Sequence, residues 1–348
     1  PMLHGAAIDA EGIAKLKSAI ERNPVYSGVV VSEARDMAAI SIAVEKGPKG
    51  FTPTLEAAYK LVEPLSDENV RVSVSGTPMF VYYVEKYTQR MAILFPLALL
   101  LVGLLHFEAF RTWQGFFLPL VTAFLSVLWG LGLMGIAKVS IDAFNASTPI
   151  LILAVTAGHA VQLLKRYYEE FELAIKRGLE PKAANREAVL RSMSKVGPVM
   201  IAAGLVAVLG FLSLMSFEIV TIRNFGIFTG LGILSGLIIE LTFIPAVRSW
   251  LKPPKRRTKP PAFDVLSPVI RGIKRAANRK SMGKVYLAFA LLIGVSAYGL
   301  TQLKVENSNK SFFSEKLPFQ QDDQLINQKM AGTNTLYVIF EGSEQDVI

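Results

Sequence analysis

The chain of 348 residues contains no cysteine, and it is poor in charge and histidine: 19% of its residues are Asp, Glu, Lys or Arg, and three are His. Without cysteine there is no disulfide, no thiolate nucleophile and no Cys-based metal site, while the compartment stays open. His4, His106 and His159 are too far apart in sequence to make a metal-ligating motif. No phosphate-binding Gly-rich loop and no nucleophile–base arrangement is visible, so no enzymatic activity, cofactor or metal is expected. A soluble domain carries about a quarter charged residues. This chain is instead 51% hydrophobic with a mean hydropathy of +0.39, the composition of a protein that faces lipid over much of its surface. Lys and Arg exceed Asp and Glu, 37 to 28, but they gather between apolar runs, so the net charge of +9 does not point to nucleic acid.

Apolar runs are what the sequence has in abundance. Six, at 91–107, 116–137, 143–164, 196–215, 225–247 and 285–303, approach or exceed the length needed to cross a hydrocarbon core of about 30 Å. The connectors 138–142 and 216–224 are short and carry one Lys or Arg each, whereas 165–195 and 248–284 are dense in both. The positive-inside rule places the dense connectors in the cytoplasm, and with them an outer side for everything before residue 91 and after residue 303. Within 165–195 an amphipathic helix lying on the membrane surface is expected, with Tyr167, Tyr168, Phe171 and Ile175 toward lipid. The stretch 252–261, KPPKRRTKPP, reads as a semi-rigid basic spacer that serves as a topology determinant or as an anionic-lipid contact.

Residues 1–90 read as a separate domain. Ile13, Leu16 and Ile20 have helical spacing, 29–31 and 38–45 are β-branched runs around a polar turn, 54–65 reads as a helix, and 71–75 as a strand ending at Gly76. The order α-β-β-α-β is that of a ferredoxin-like βαββαβ unit without its first strand. Residues 304–348 open a second such domain, with a strand at 336–341 (LYVIFE). The expected fold is thus a membrane α-helical bundle with α/β ferredoxin-like outer domains: 1–90 outer domain, 91–247 five spans, 248–284 basic cytoplasmic linker, 285–303 a sixth span, and 304–348 the start of a second outer domain. Because the chain starts at Pro1 and stops soon after a strand-like run, it reads as the latter part of one half of a longer protein plus the opening of the next.

Several stretches resemble the resistance-nodulation-division (RND) superfamily in its MmpL-like and Patched-like branch: 75–78 (SGTP), 118–135 (LPLVTAFLSVLWGLGLMG), 163–170 (LLKRYYEE), 210–213 (GFLS), 224–232 (NFGIFTGLG) and 241–246 (LTFIPA). The order of domain, five spans, basic loop, span and second domain is similar too. The resemblance implies an inner-membrane exporter of lipids or other amphiphiles in a bacterium, driven by a proton gradient, with periplasmic porter-like domains. It implies a dimer or trimer and allows periplasmic partner proteins. Many members carry an Asp-Tyr pair in the third span seen here. Aligned through Arg166, Glu169 and Glu170, this chain has Gly158 and His159 in those places, so proton coupling must use other groups. A non-pumping lipid sensor or scaffold, and a protein-export accessory of the same superfamily, are the rival readings.

Two ionisable residues inside the apolar runs carry the functional expectation, since such groups are costly in a bilayer. His159 lies about sixteen residues into its run and Glu240 about fifteen into its own, and both runs enter from the outer side, so the two sit at similar depth, roughly 22–24 Å in. They form a proton relay, with Thr156 and Gln162 continuing a polar stripe around His159; alternatively His159 is a neutral packing residue and Glu240 a protonated or snorkelling group. Gly158, Gly232 and Gly236 are expected to let helices approach closely beside the relay. Asp142 and Asn145 are read as a cap opening the histidine helix. Met79, Phe80, Tyr82 and Tyr83 line a lipid entrance or form an interfacial aromatic belt.

Overall fold

The computed structural model describes residues 10–23, 26–45, 47–48, 50–142, 144–254, 271–274, 282–304 and 313–333. Among them, six helices are long and apolar enough to cross a membrane. Five belong to the unit formed by Pro1–Leu251 with Phe312–Ile348, and the sixth to Lys252–Ser311.

Local signals set where the helices start and stop. Helices α1 (Ala10–Arg22) and α2 (Thr52–Val62) precede α3 (Thr77–Phe110), which begins far before the apolar run at 91. Gly76, at φ 119°, turns the chain, and Pro78 stands in the first turn of α3, where its missing N–H costs nothing. The helix stops at Arg111, in the left-handed region at φ 47°. Thr112 then caps α4 (Trp113–Ile136), its hydroxyl accepting from the Gly115 N–H at 3.0 Å. Before α5 (Thr148–Lys176), Asp142 accepts from the N–H groups of Phe144 and Asn145, and Asn145 accepts in return from the Asp142 N–H at 2.7 Å. These two residues therefore shape the turn ahead of the helix. α6 (Pro181–Leu212) and α7 (Val220–Trp250) complete the five. α8 (Met282–Thr301) lies in the other unit.

α5 and α7 are central: half of the most apolar stretch of each is buried, against 17% in α3 and α6. The leucines of α3 at 97, 100, 101, 104 and 105 are exposed, a surface that water would not tolerate and lipid would. α5 and α6 hold 29 and 32 residues, about 43 and 48 Å at 1.5 Å rise, so both outrun the hydrocarbon. Their ends make a helical hairpin with its own core of Tyr167, Phe171, Ala174, Ala184, Ala188 and Val189. This corrects the surface-lying helix expected in 165–195. Tyr167 and Phe171 are buried by the partner helix, because their i, i+4 spacing faces the small residues of α6.

The ferredoxin-like domain is the second correction. No strand forms among the described residues of 1–90, where only isolated bridges occur, at Ser27–Val31, Val31–Ala38 and Gly47–Gly50. Val30 and Val31 are curled back onto the Tyr26 carbonyl, and Ile40 and Ile42 are exposed. A β-branched alternation becomes a strand only when a neighbour pairs its backbone along its length and one face is covered; here pairing stops at single bridges, and Ile40 and Ile42 stay uncovered. The strand expected at 336–341 lies outside the described residues.

This end of the unit is organised instead around α3 and α9 (Pro318–Lys329). Arg71 and Ser73 donate to Asp322 at 2.8 and 3.0 Å, Ser75 to Asp323 at 2.6 Å, and Lys329 pairs with Asp36. The Lys329 ammonium, followed by the Ser32 hydroxyl, holds the Asp36 carboxyl below its ordinary range. Its contribution exists above the usual carboxylate pKa and fades as pH falls through the lowered one; at this exposure it is small.

Candidate functional site

α4 runs antiparallel to α5 and α7, and the three share a seam built on a spacing of four residues. One side chain from each recurs at every turn, about 6 Å apart. At the end nearest α2 and α9, hereafter the domain end, Thr148 and Thr229 hydroxyls meet at 3.2 Å. One turn in, the Ile152 side chain fills the gap between Gly130 and Gly232; a Cβ on Gly130 would lie 2.7 Å from its Cδ1. The next turn brings Ser126, Thr156 and Gly236 together, and a Cβ on Gly236 would overlap the Thr156 methyl and stand 3.0 Å from Ser126 Oγ.

The ionisable pair follows. His159 Nδ1 lies 3.6 Å from Glu240 Oε2, an ion-pair distance rather than a hydrogen bond. Glu240 is fully buried and His159 nearly so. Neither carboxylate oxygen and not the His159 Nδ1 has a hydrogen-bond partner. Native structures satisfy most buried polar atoms, so three orphans at one point mark a place where something other than packing is at stake. Thr122 stands at the matching turn of α4, its hydroxyl donating to its own helix. Below the pair, Leu118, Leu164 and Ile244 belong to one apolar cluster with Leu163, Met200 and Leu237.

The last turn, at the basic end, is cationic. Arg248 is 1% exposed, and its guanidinium donates to Gln114 Oε1, to the Tyr167 hydroxyl and, at 3.4 Å, to Asn185 Oδ1. It also lies over the Tyr167 ring at 4.3 Å. Tyr167 donates to Asn185 at 2.6 Å, and Asn185 donates to the Arg248 carbonyl at 3.1 Å. The charge is thus solvated by neutral groups from three helices, α4, α5 and α6. Glu170, buried nearby in α5, is taken up by Arg166 and Lys195 at 2.5 and 2.7 Å. Arg248→Lys is expected to cost about 1–3 kcal/mol of stability, because an ammonium cannot span the fork from Gln114 to Tyr167. Thermal unfolding in detergent measures it, and an unchanged melting temperature would dismiss the network as structural glue.

Of the residues singled out in the sequence, His159, Glu240, Thr156, Gly232 and Gly236 come together here. Gln162 and Gly158 do not: both are exposed on α5, and a Cβ on Gly158 would meet nothing within 4 Å. Met79 and Tyr82 are packed with Leu55 and Phe319, and Tyr83 stacks on Phe319 at 4.2 Å between centroids. Phe80 meets Phe313 edge-on at 5.5 Å. Arg248, Gln114, Asn185, Ser126 and Thr122 escaped the sequence reading, although 122, 126 and 130 repeat Thr, Ser and Gly at the spacing of the seam. His106 escaped too; it reaches from α3 to α5, its Nε2 3.3 Å from the Ala157 carbonyl. Among the described residues, no three of His, Asp and Glu are grouped so as to hold a metal ion.

Residues 5–279 match the model of the MMPL family. A Methanocaldococcus jannaschii protein described as a membrane protein, MJ1562, is 26% identical over 200 residues, covering 54% of this chain and 50% of that protein. A Streptomyces coelicolor protein described as a membrane protein, ActII-3, is 22% identical over 321 residues, covering 87% of this chain and 43% of that protein. The chain spans half or less of the length of these curated relatives.

Proposed function

The chain belongs to the MMPL family, and on that premise we propose that it is part of a proton-gradient-driven transporter of lipids or other amphipathic molecules, working by proton antiport in the inner membrane. The observation that carries this is the buried His159–Glu240 pair, 3.6 Å apart with His159 Nδ1 and both Glu240 oxygens unpartnered. Such a pair is neutral when it holds one proton, whichever group has it, and cationic when it holds two. Each proton gained or lost therefore changes the charge in a dry site, and helices that tolerate one charge state resist the other. That is the requirement for coupling proton movement to a rearrangement of α5 against α7.

In this reading the basic α5–α6 hairpin and the linker 248–284 face the cytoplasm, and the α2–α9 end faces the periplasm. The resemblance to the MmpL-like branch supports the choice of an amphipathic cargo. A second copy, as dimer or trimer, and periplasmic partners would complete the assembly. The test is movement of a fluorescent phospholipid in proteoliposomes of the full-length protein, with an imposed proton gradient and with the gradient collapsed by an uncoupler. Movement that stops on collapse is the expected result. Lipid binding with no gradient-dependent movement would favour a sensor or scaffold instead.

A further inference from the structure

Arg248 is a buried charge without a counter-charge. Among the described residues its guanidinium has only neutral partners, on Gln114, Tyr167 and Asn185. Burying an ion without its opposite is costly, and elsewhere in the same hairpin the chain avoids it. Glu170, the carboxylate buried nearby, is already held by Arg166 and Lys195 at 2.5 and 2.7 Å. The Arg248 fork also leaves a donor over. Nη1 is spent on Gln114 and Nη2 on Tyr167 and Asn185, while Nε is buried and has no acceptor. Nε–H lies on the same edge of the planar group as Nη2, so it faces the α5–α6 side to which Nη2 donates. On that side lies a small, half-enclosed cavity with room for about one water-sized group. Carbon from Leu163, Leu164, Val189, Ile244 and Pro245 walls it, and Arg248, Tyr167 and Ser192 are its polar members. The Tyr167 hydroxyl is committed to Asn185; Ser192 donates to the Val189 carbonyl at 2.9 Å, a bond that a change of rotamer releases.

We infer that this cavity binds a single halide ion, chloride in the cell, on Arg248 Nε–H, and that the bound ion fastens the basic end of α7 to α5 and α6. Three features select a halide over an oxyanion. One free N–H and one hydroxyl able to turn suit a monatomic acceptor, whereas a phosphate or carboxylate takes both prongs of a guanidinium edge, and Tyr167 and Asn185 already hold one of them. The space leaves no room for a tetrahedral group. The remaining walls are C–H, which a large, weakly hydrated monoanion tolerates better than a strongly hydrated one. A water in the same place would leave the guanidinium charge uncancelled. An anion cancels it in low-dielectric surroundings, where the attraction is strongest.

Thermal unfolding of the full-length protein in detergent reads occupancy, because a ligand that binds only the folded state raises the melting temperature. Chloride replaces gluconate stepwise at constant ionic strength, and a saturating rise of roughly 2–4 °C is expected. Ser192→Val fills the cavity with methyl groups and leaves Gln114, Tyr167 and Asn185 in place. It should abolish the chloride-dependent part of the melting temperature, and Arg248→Gln should do the same. Phosphatidylglycerol added in gluconate should not substitute for chloride. No saturating rise in the parent would make the occupant a water, an equal rise in Ser192→Val would put the ion elsewhere, and substitution by phosphatidylglycerol would make the occupant a lipid phosphate; each overturns the inference. Should neither variant fold, crystals of the parent grown in bromide decide: an anomalous peak beside Arg248 Nε supports the site, and none there overturns it. These readouts need neither gradient nor cargo, so the site stands or falls apart from the transport reading.

Discussion

Glu240→Gln is expected to lower gradient-driven lipid movement roughly 100-fold or more, the scale of losing a positioned proton-transfer group. Glutamine keeps the shape and volume of the side chain, so Thr156, Ser126 and Gly236 have no reason to repack, and the melting temperature should stay near that of the parent. The amide can neither take up nor release a proton in the working pH range. His159→Gln is expected to impair movement as well, because the pair would lose its second proton site and Glu240 its charge partner. If the Glu240→Gln protein pumped at the parental rate, Glu240 would be a packing residue and the coupling would lie elsewhere.

The second large effect concerns stability. A Cβ on Gly232 would fall on Ile152 Cδ1 and 2.7 Å from its Cγ1, inside a junction where the Gly130 backbone leaves no room to retreat. Gly232→Ala is therefore expected to cost about 1–3 kcal/mol, and Gly232→Leu to exceed that and to prevent the seam from closing. Because the obstacle is one side chain, Ile152→Val combined with Gly232→Ala should recover part of the loss, a coupling of about 1 kcal/mol in a double-mutant cycle. Additive losses, read by thermal unfolding in detergent, would show that Ile152 is not the atom group in the way.

The same seam shows what a sequence makes legible. The apolar runs were plain because continuity over a bilayer's width is unambiguous. The matching depth of His159 and Glu240 followed from counting residues into helices that enter from the same side; that the two helices are neighbours, which makes them a pair, came from the structure. Which face of α5 looks inward was not available from counting. Each residue turns the helix by about 100°, which carries Gly158 off the face of His159, whereas Gln162, three residues on, stays within about 60° of it and is still left exposed at the edge of the buried stripe. The identity of the packing helices decides the face, and that is a tertiary fact. Arg248 was hidden by its company. It opens a basic run that the positive-inside rule explains as a whole, and only the structure separates one buried guanidinium from the solvated charges after it.

The region before α3 failed for a different reason. Ile40 and Ile42 alternate as a half-buried strand would, yet alternation describes one edge of a pairing whose other edge must exist in space. The bonds that do hold this region run from Arg71, Ser73 and Ser75 to α9, some 250 positions away in sequence. Local patterns carry no sign of such contacts.

Coupling between proton and cargo is tested most directly by recording both in the same vesicles. A lumenal pH dye and a labelled phospholipid are followed together in proteoliposomes of the full-length protein and of its Glu240→Gln variant. Proton flux and lipid movement should appear together in the parent, keep a fixed ratio as the gradient is varied, and vanish together in the variant. Lipid movement in the variant at the parental rate, or movement in the parent without proton flux, would contradict a proton-coupled transporter built on Glu240 and His159.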